Sequence, residues 1–180
     1  MPGNYRRLNE NIRLNGLAAT IDAVNIAMGR ENGQVCMAAC EGAEQGTGNA
    51  VVQNGSAAGK ASAPVRLARL DDLAAELNIQ KCDFIKVDIE GFELNFFNGG
   101  LSFIGRHRPV ISTELNFPWM ETFGWDVKML RETLEPLGYS LYKKNGKKYT
   151  PYSGSGGGIE QALLIPENTP CAVLAREYLC

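Results

Sequence analysis

A chain of 180 residues with 44% hydrophobic content and a formal net charge of −2 reads as an ordinary soluble globular chain of one domain. That balance leaves no basic surface for nucleic acid, and no apolar run is long enough to span a bilayer, so no membrane partner is expected. Five cysteines at positions 36, 40, 82, 171 and 180, an odd count without paired spacing, argue against a disulfide framework and suit a reducing, cytoplasmic setting.

The elements follow in chain order. Asn4 to Asn15 places Tyr5, Leu8 and Ile12 at helical spacing, with Gly16 as the carboxyl-terminal cap. Ala19 to Met28 reads as a strand, and Arg30 to Gly33 as a turn into a second strand near Gln34 to Ala39. Asn32-Gly33 is a hairpin dipeptide. Residues 41–64, rich in Gly, Ala, Ser and Asn and without periodicity, predict a flexible loop. It contains Gly46-Thr47-Gly48 and a sequon, Asn54-Gly55-Ser56, that carries no meaning in a cytosolic chain. Val65 to Leu67 adds a short strand, and Leu70 to Leu77 a helix with Asp71 and Asp72 in its first turn.

Cys82 to Val87 is β-branched and apolar, the pattern of a buried parallel-type strand. A helix from Phe92 to Ile104 follows, interrupted at Gly99-Gly100, and then a strand from Pro109 to Leu115 with Glu114 at its carboxyl end. His107, beside a helix end, reads as a surface histidine, and one histidine with Cys36 and Cys40 makes no zinc site. Trp119 to Trp125 is an aromatic-rich loop, in which Trp119, Phe123 and Trp125 either roof a pocket or cover a sheet edge. Val127 to Leu137 is an amphipathic helix with Met129, Leu130, Leu134 and Leu137 on one side. Tyr139 to Lys143 and Glu160 to Ile165 form a final antiparallel pair. Lys143, Lys144, Lys147 and Lys148 read as a solvated hairpin or loop, and Ser153 to Gly158 as a glycine-rich loop.

The densest chemistry lies in Lys86 to Asn95, where Asp88, Glu90 and Glu93 fall within six positions as strand gives way to helix. In an open α/β sheet, ligands bind beyond the carboxyl ends of the strands, which places Asp88 and Glu90 where a site is expected. The plainer reading of Glu90 and Glu93 is that they favour the helix amino terminus. Lys86 leaves the same strand face as Asp88 and is expected to pair with a neighbouring carboxylate. Asp88, Glu90 and Glu114 are expected to converge, and clustered acids either share a proton or bind a cation.

Asp83 to Glu93 reproduces, without a gap, the (D)FIK(I/V)D(I/V)EG.E strand of the FkbM family of S-adenosylmethionine-dependent methyltransferases. Four further pieces resemble that family in the same order: the helix Asn4 to Leu17, Ile26-Ala27-Met28-Gly29, Leu70-Asp71-Asp72-Leu73, and Arg108 to Glu114. The resemblance covers Pro2 to Tyr142 and implies an α/β fold: a Rossmann-like class I methyltransferase sheet, mostly parallel with a terminal antiparallel hairpin. It implies S-adenosyl-L-methionine as cofactor and methylation of a hydroxyl on a small molecule or sugar. Asp88, Glu90 and Glu114 carry catalysis on this reading, Asn25, Ala27 and Asp88 contact the cofactor, and no metal is called for.

One part of the family pattern is absent. The family's Gly-rich turn and second strand would fall before Met1, so the chain reads as a carboxyl-terminal part of the domain, lacking the first two core strands. The motif strand then has an unpaired edge, which invites homo-oligomerisation or strand exchange. Two other readings stand beside the enzyme: a non-catalytic interaction module, and a metal-dependent hydrolase using Asp88, Glu90 and Glu114 as oxygen ligands. The hydrolase leaves every match outside the acidic motif unexplained.

Overall fold

The amino-terminal apolar spacing folds as expected. In this computed structural model, which describes residues 2–39, 49–52, 61–154, 156–175 and 179, helix α1 spans Pro2–Leu14. Ile12 is buried and the Tyr5 hydroxyl donates to the Ala23 carbonyl at 3.2 Å, while Leu8 is exposed. Gly16, at φ +66°, closes the helix, with the Leu17 N–H returning to the Ile12 carbonyl.

The strand expected from Ala19 shrinks to β1, Ala27–Met28. Ile21 and Val24 before it are exposed, so there is no ladder to hold the extended segment. Strands β2 (Gly33–Ala39), β3 (Asn49–Val52) and β4 (Ala61–Ala68) complete the first sheet in the order β1-β4-β2-β3. β4 lies between β1, its parallel partner, and β2, its antiparallel one. Asn32-Gly33 therefore does not join paired strands. The Asn32 side chain instead donates to Asp72 Oδ2 at 2.7 Å and accepts the Arg69 N–H at 3.0 Å. The loop expected at 41–64 is also corrected, since it holds β3 and the first half of β4. Alanine-rich strands pair through the backbone and leave no apolar period to read. Gly46 to Gly48, Asn54 to Ser56, Cys40 and Ser155 lie outside the described residues.

The second sheet comprises β5 (Phe84–Val87), β6 (Val110–Asn116), β7 (Tyr139–Asn145), β8 (Lys148–Pro151) and β9 (Ile159–Pro166), ordered β5-β6-β9-β7-β8. Only β5–β6 is parallel in it. The expectation of a mostly parallel sheet is thus overturned: the fold is mixed α/β, and antiparallel pairs dominate both sheets. The cause is connectivity, because β7–β8 is a tight hairpin and β9 returns between β6 and β7. Among the described residues β5 pairs on one side alone, and Phe84 stands 57% exposed.

Helices α2 (Leu70–Glu76), α3 (Glu93–Asn98), α4 (Leu101–His107), α5 (Phe117–Thr122), α6 (Val127–Leu134) and α7 (Pro170–Ala175) fill the connections. The Gly99-Gly100 break is where expected. A side chain at Gly99 would overlap the Gly29 carbonyl, so the chain just past β1 docks on the α3–α4 junction only because residue 99 is glycine. Gly100 offers α4 no capping side chain, and Asp71 supplies one from α2, accepting the Phe103 N–H at 2.8 Å.

Two local expectations are corrected. The aromatic-rich segment is largely helix α5, started by Phe117-Pro118, a proline placement that suits a helix amino terminus. In α6, Leu130 and Leu134 are buried while Met129 is exposed, so the inward stripe is narrower than the spacing suggested. The main core joins Phe97, Ile104, Ile111, Leu115, Leu130, Leu134 and Leu164. Ile111, Thr113 and Leu115 of β6 turn into that core, which leaves Ser112 and Glu114 for the opposite face.

Candidate active site

The β5–β6 register sets the geometry. Lys86 pairs with Ser112 and Val87 with Thr113, so one step further Asp88 comes level with Glu114. Buried Val87 anchors the strand end, and alternation sends Lys86 and Asp88 out together. Lys86 Nζ lies 2.9 Å from Asp88 Oδ2, the pairing expected from sequence, with both side chains nearly half exposed.

Beyond Asp88 the backbone reverses through two successive left-handed residues, Glu90 at φ +56° and Gly91 at φ +88°. For a glutamate this conformation costs roughly 1–3 kcal/mol and persists only where surroundings enforce it. Here they do. Any side chain at Gly91 would overlap Trp119 Cβ and lie 2.9 Å from the Trp119 carbonyl carbon. The Trp125 indole donates to the Gly91 carbonyl at 2.6 Å, and Asn116 Nδ2 donates to Glu90 Oε2 at 3.2 Å. Trp119 stacks on Phe123, whose ring meets Phe92 edge-on. The three aromatics of this segment therefore wall the turn.

Asp88, Glu90 and Glu114 share one electrostatic field. Partial burial, then the charges of Asp88 and Glu90, hold the Glu114 carboxyl above its ordinary range, against the pull of Lys86 and of the Gln161 amide. Gln161 Nε2 donates to Glu114 Oε2 at 2.7 Å from β9. Asn25 and Ala27 are not part of this group. Asn25 is exposed just before β1 and Ala27 pairs with Leu67, and no bond of the acid cluster involves either.

Sequence reasoning missed Asn116 and Gln161, which reach the acids from separate elements, and it left Glu93 open between a site carboxylate and a charge that merely favours the helix start. Glu93 is fully buried, and its Oε1 accepts the Ile89 N–H at 3.1 Å. A carboxylate two residues past a glycine turn was the available signal. Among the described residues no group of three or more His, Cys, Asp or Glu side chains is disposed to hold a metal ion.

Carboxylates gathered at the carboxyl ends of adjacent parallel strands stand where α/β proteins commonly bind their ligands. The chain belongs to the FkbM methyltransferase family: the family's domain model, Methyltransferase FkbM domain, matches residues 1–141. No curated protein and no solved structure matches it.

Proposed function

We propose that this chain is an S-adenosylmethionine-dependent methyltransferase of Rossmann-like ancestry that methylates a hydroxyl of a small molecule or sugar. The observation that carries this reading is the acid cluster of Asp88, Glu90 and Glu114 at the ends of β5 and β6, in a chain of a methyltransferase family. Bound S-adenosylmethionine supplies an electrophilic methyl on a sulfonium. Its ammonium and ribose hydroxyls are hydrogen-bond donors, and the residues present fit them. Asp88 and Glu90 are accessible carboxylates, and among the described residues only Asp88 Oδ2 and Glu90 Oε2 of their oxygens have partners. Asp88 would take the ammonium or a ribose hydroxyl, with Lys86 Nζ 2.9 Å from its Oδ2. The turn glycine gives no cradle, since Trp119 fills the space over Gly91.

Glu114 suits a general base. A carboxyl lifted toward the working pH accepts a hydroxyl proton more readily than one held low. Beside α5 a cleft of about 580 Å3, lined by Phe117, Met120, Trp125 and Met129, offers an apolar floor for an acceptor, and Trp125 links it to the Gly91 turn. The test is calorimetric titration with S-adenosylmethionine and with S-adenosylhomocysteine. Micromolar binding, about −8 kcal/mol, that falls at least about tenfold in Asp88→Asn without a change in circular dichroism supports the proposal. A folded wild-type chain that binds neither compound overturns it.

The unpaired edge of β5 with exposed Phe84 favours a second reading, an interaction module that pairs strands with another chain. Absence of cofactor binding together with self-association would select it.

A further inference from the structure

Glu93 poses a problem that helix electrostatics does not solve. A carboxylate at the start of a helix acts on the dipole from the surface, where it keeps its hydration. Glu93 is instead 0% exposed, and one of its oxygens, Oε2, has no hydrogen-bond partner. Burying a carboxyl this way is unfavourable unless the bonds it does make matter.

The bond it makes is specific. Oε1 reaches back from the first turn of α3 to accept the Ile89 N–H at 3.1 Å. Ile89 sits between Asp88 and Glu90, at the entrance to the two left-handed residues. From the other side, the Trp125 indole holds the Gly91 carbonyl, and Trp119 closes over Gly91. The reversal is thus gripped at both ends, and the Glu93 carboxyl is the side-chain grip on its entrance.

Its surroundings agree. Burial foremost, and then the charge of Asp88, raise the Glu93 carboxyl above its ordinary range, while the N–H groups of Glu93, Ile89 and Gly91 pull the other way. The carboxyl therefore lies within the field of Asp88.

We propose that Glu93 is a positioning residue: its buried carboxyl, bonded to the Ile89 N–H, fixes the turn that presents Asp88 and Glu90, without itself touching a ligand. The assignment rests on the cofactor-binding reading of those two acids. Either protonation state leaves Oε1 an acceptor, and so does the amide of Glu93→Gln.

The test compares wild type, Glu93→Gln, Glu93→Met and Glu93→Leu in the 180-residue chain. Three quantities are read: thermal midpoint, S-adenosylmethionine affinity, and hydrogen-exchange protection of the Ile89 amide. Glu93→Gln should keep the amide protected and bind within about threefold of wild type. An apolar variant that melts no lower than wild type should expose the Ile89 amide and bind at least about tenfold more weakly, a loss of roughly 1.4 kcal/mol. Affinity that merely tracks the melting point, or failure of both apolar variants to fold, makes the residue structural and overturns the assignment. If wild type itself binds no cofactor, the functional reading fails and the Ile89 amide decides alone. Protection kept in the Gln variant and lost in an apolar one supports the proposal, and equal protection throughout overturns it.

Discussion

Glu114 carries its charge at a cost set by its neighbours. Partial burial and the repulsion of Asp88 and Glu90 raise its carboxyl above the ordinary value. A carboxyl raised in the fold contributes stability that is fully present below its unfolded pKa, about 4.3, and is lost as pH rises through the folded value. Glu114→Gln removes the charge and retains an acceptor for Gln161. The variant should therefore melt with wild type near pH 4 and above it at pH 7, the gap opening between. Thermal melts across that range check this, and a constant gap would mean that lost packing, rather than charge, separates the two proteins. The raised carboxyl that suits a base is thereby bought with stability. That Asp88, Glu90 and Glu114 would come near one another was legible from their places at strand ends, whereas the burial of Glu93 was not. A sequence shows that a glutamate opens a helix; it does not show that the side chain folds back under a turn.

Between elements, single side chains substitute for missing local signals. Helix α4 begins at Gly100, which has no capping group, and Asp71 of α2 caps it across 32 positions while also receiving Arg69 at 3.2 Å. Asp71→Ala should cost about 1–2 kcal/mol in chemical denaturation, the ordinary loss of a capping group. Asp71→Asn, which keeps the acceptor, should recover much of it. A full-sized loss in both would point to the Arg69 ion pair instead. The same long reach explains what the sequence concealed. The helices α1, α2, α3 and α4 and the strands β5, β6 and β9 were readable, because each carries its own period and its own breaks. Strand β3 was not, and of the strand expected from Ala19 only the end survives as β1. β1 is two residues paired to a strand forty positions away, and β3 exists only as the partner of β2. Asn32-Gly33 misled for a related reason: its geometry is local, but the choice of neighbour for β2 belongs to β4.

At the scale of the whole molecule, exposed apolar surface is concentrated rather than scattered. Among the described residues, eight of the eleven exposed large hydrophobics fall in two stretches: Leu8, Leu14, Leu17, Ile21 and Val24 in the first, Leu77, Ile79 and Phe84 in the second. The second leads into β5, whose outer edge pairs with no strand among the described residues and carries a 57% exposed phenylalanine. Flanking charges blunt that edge in part, through the Lys81–Asp83 and Lys86–Asp88 pairs, but such surface pairs contribute little energy and weaken in salt. Self-association through this edge should then strengthen as ionic strength rises, the reverse of a contact driven by charge. Phe84→Lys removes the apolar anchor and places a repelling charge on the strand, as natural edge strands do. The variant should keep the wild-type melting point, because the Phe84 ring is mostly in water already. In sedimentation velocity its weight-average mass should stay at the monomer value over a concentration series in which wild type rises. Equal association of the two proteins would move the contact away from β5, and a lower melting point would show that Phe84 supports the fold after all.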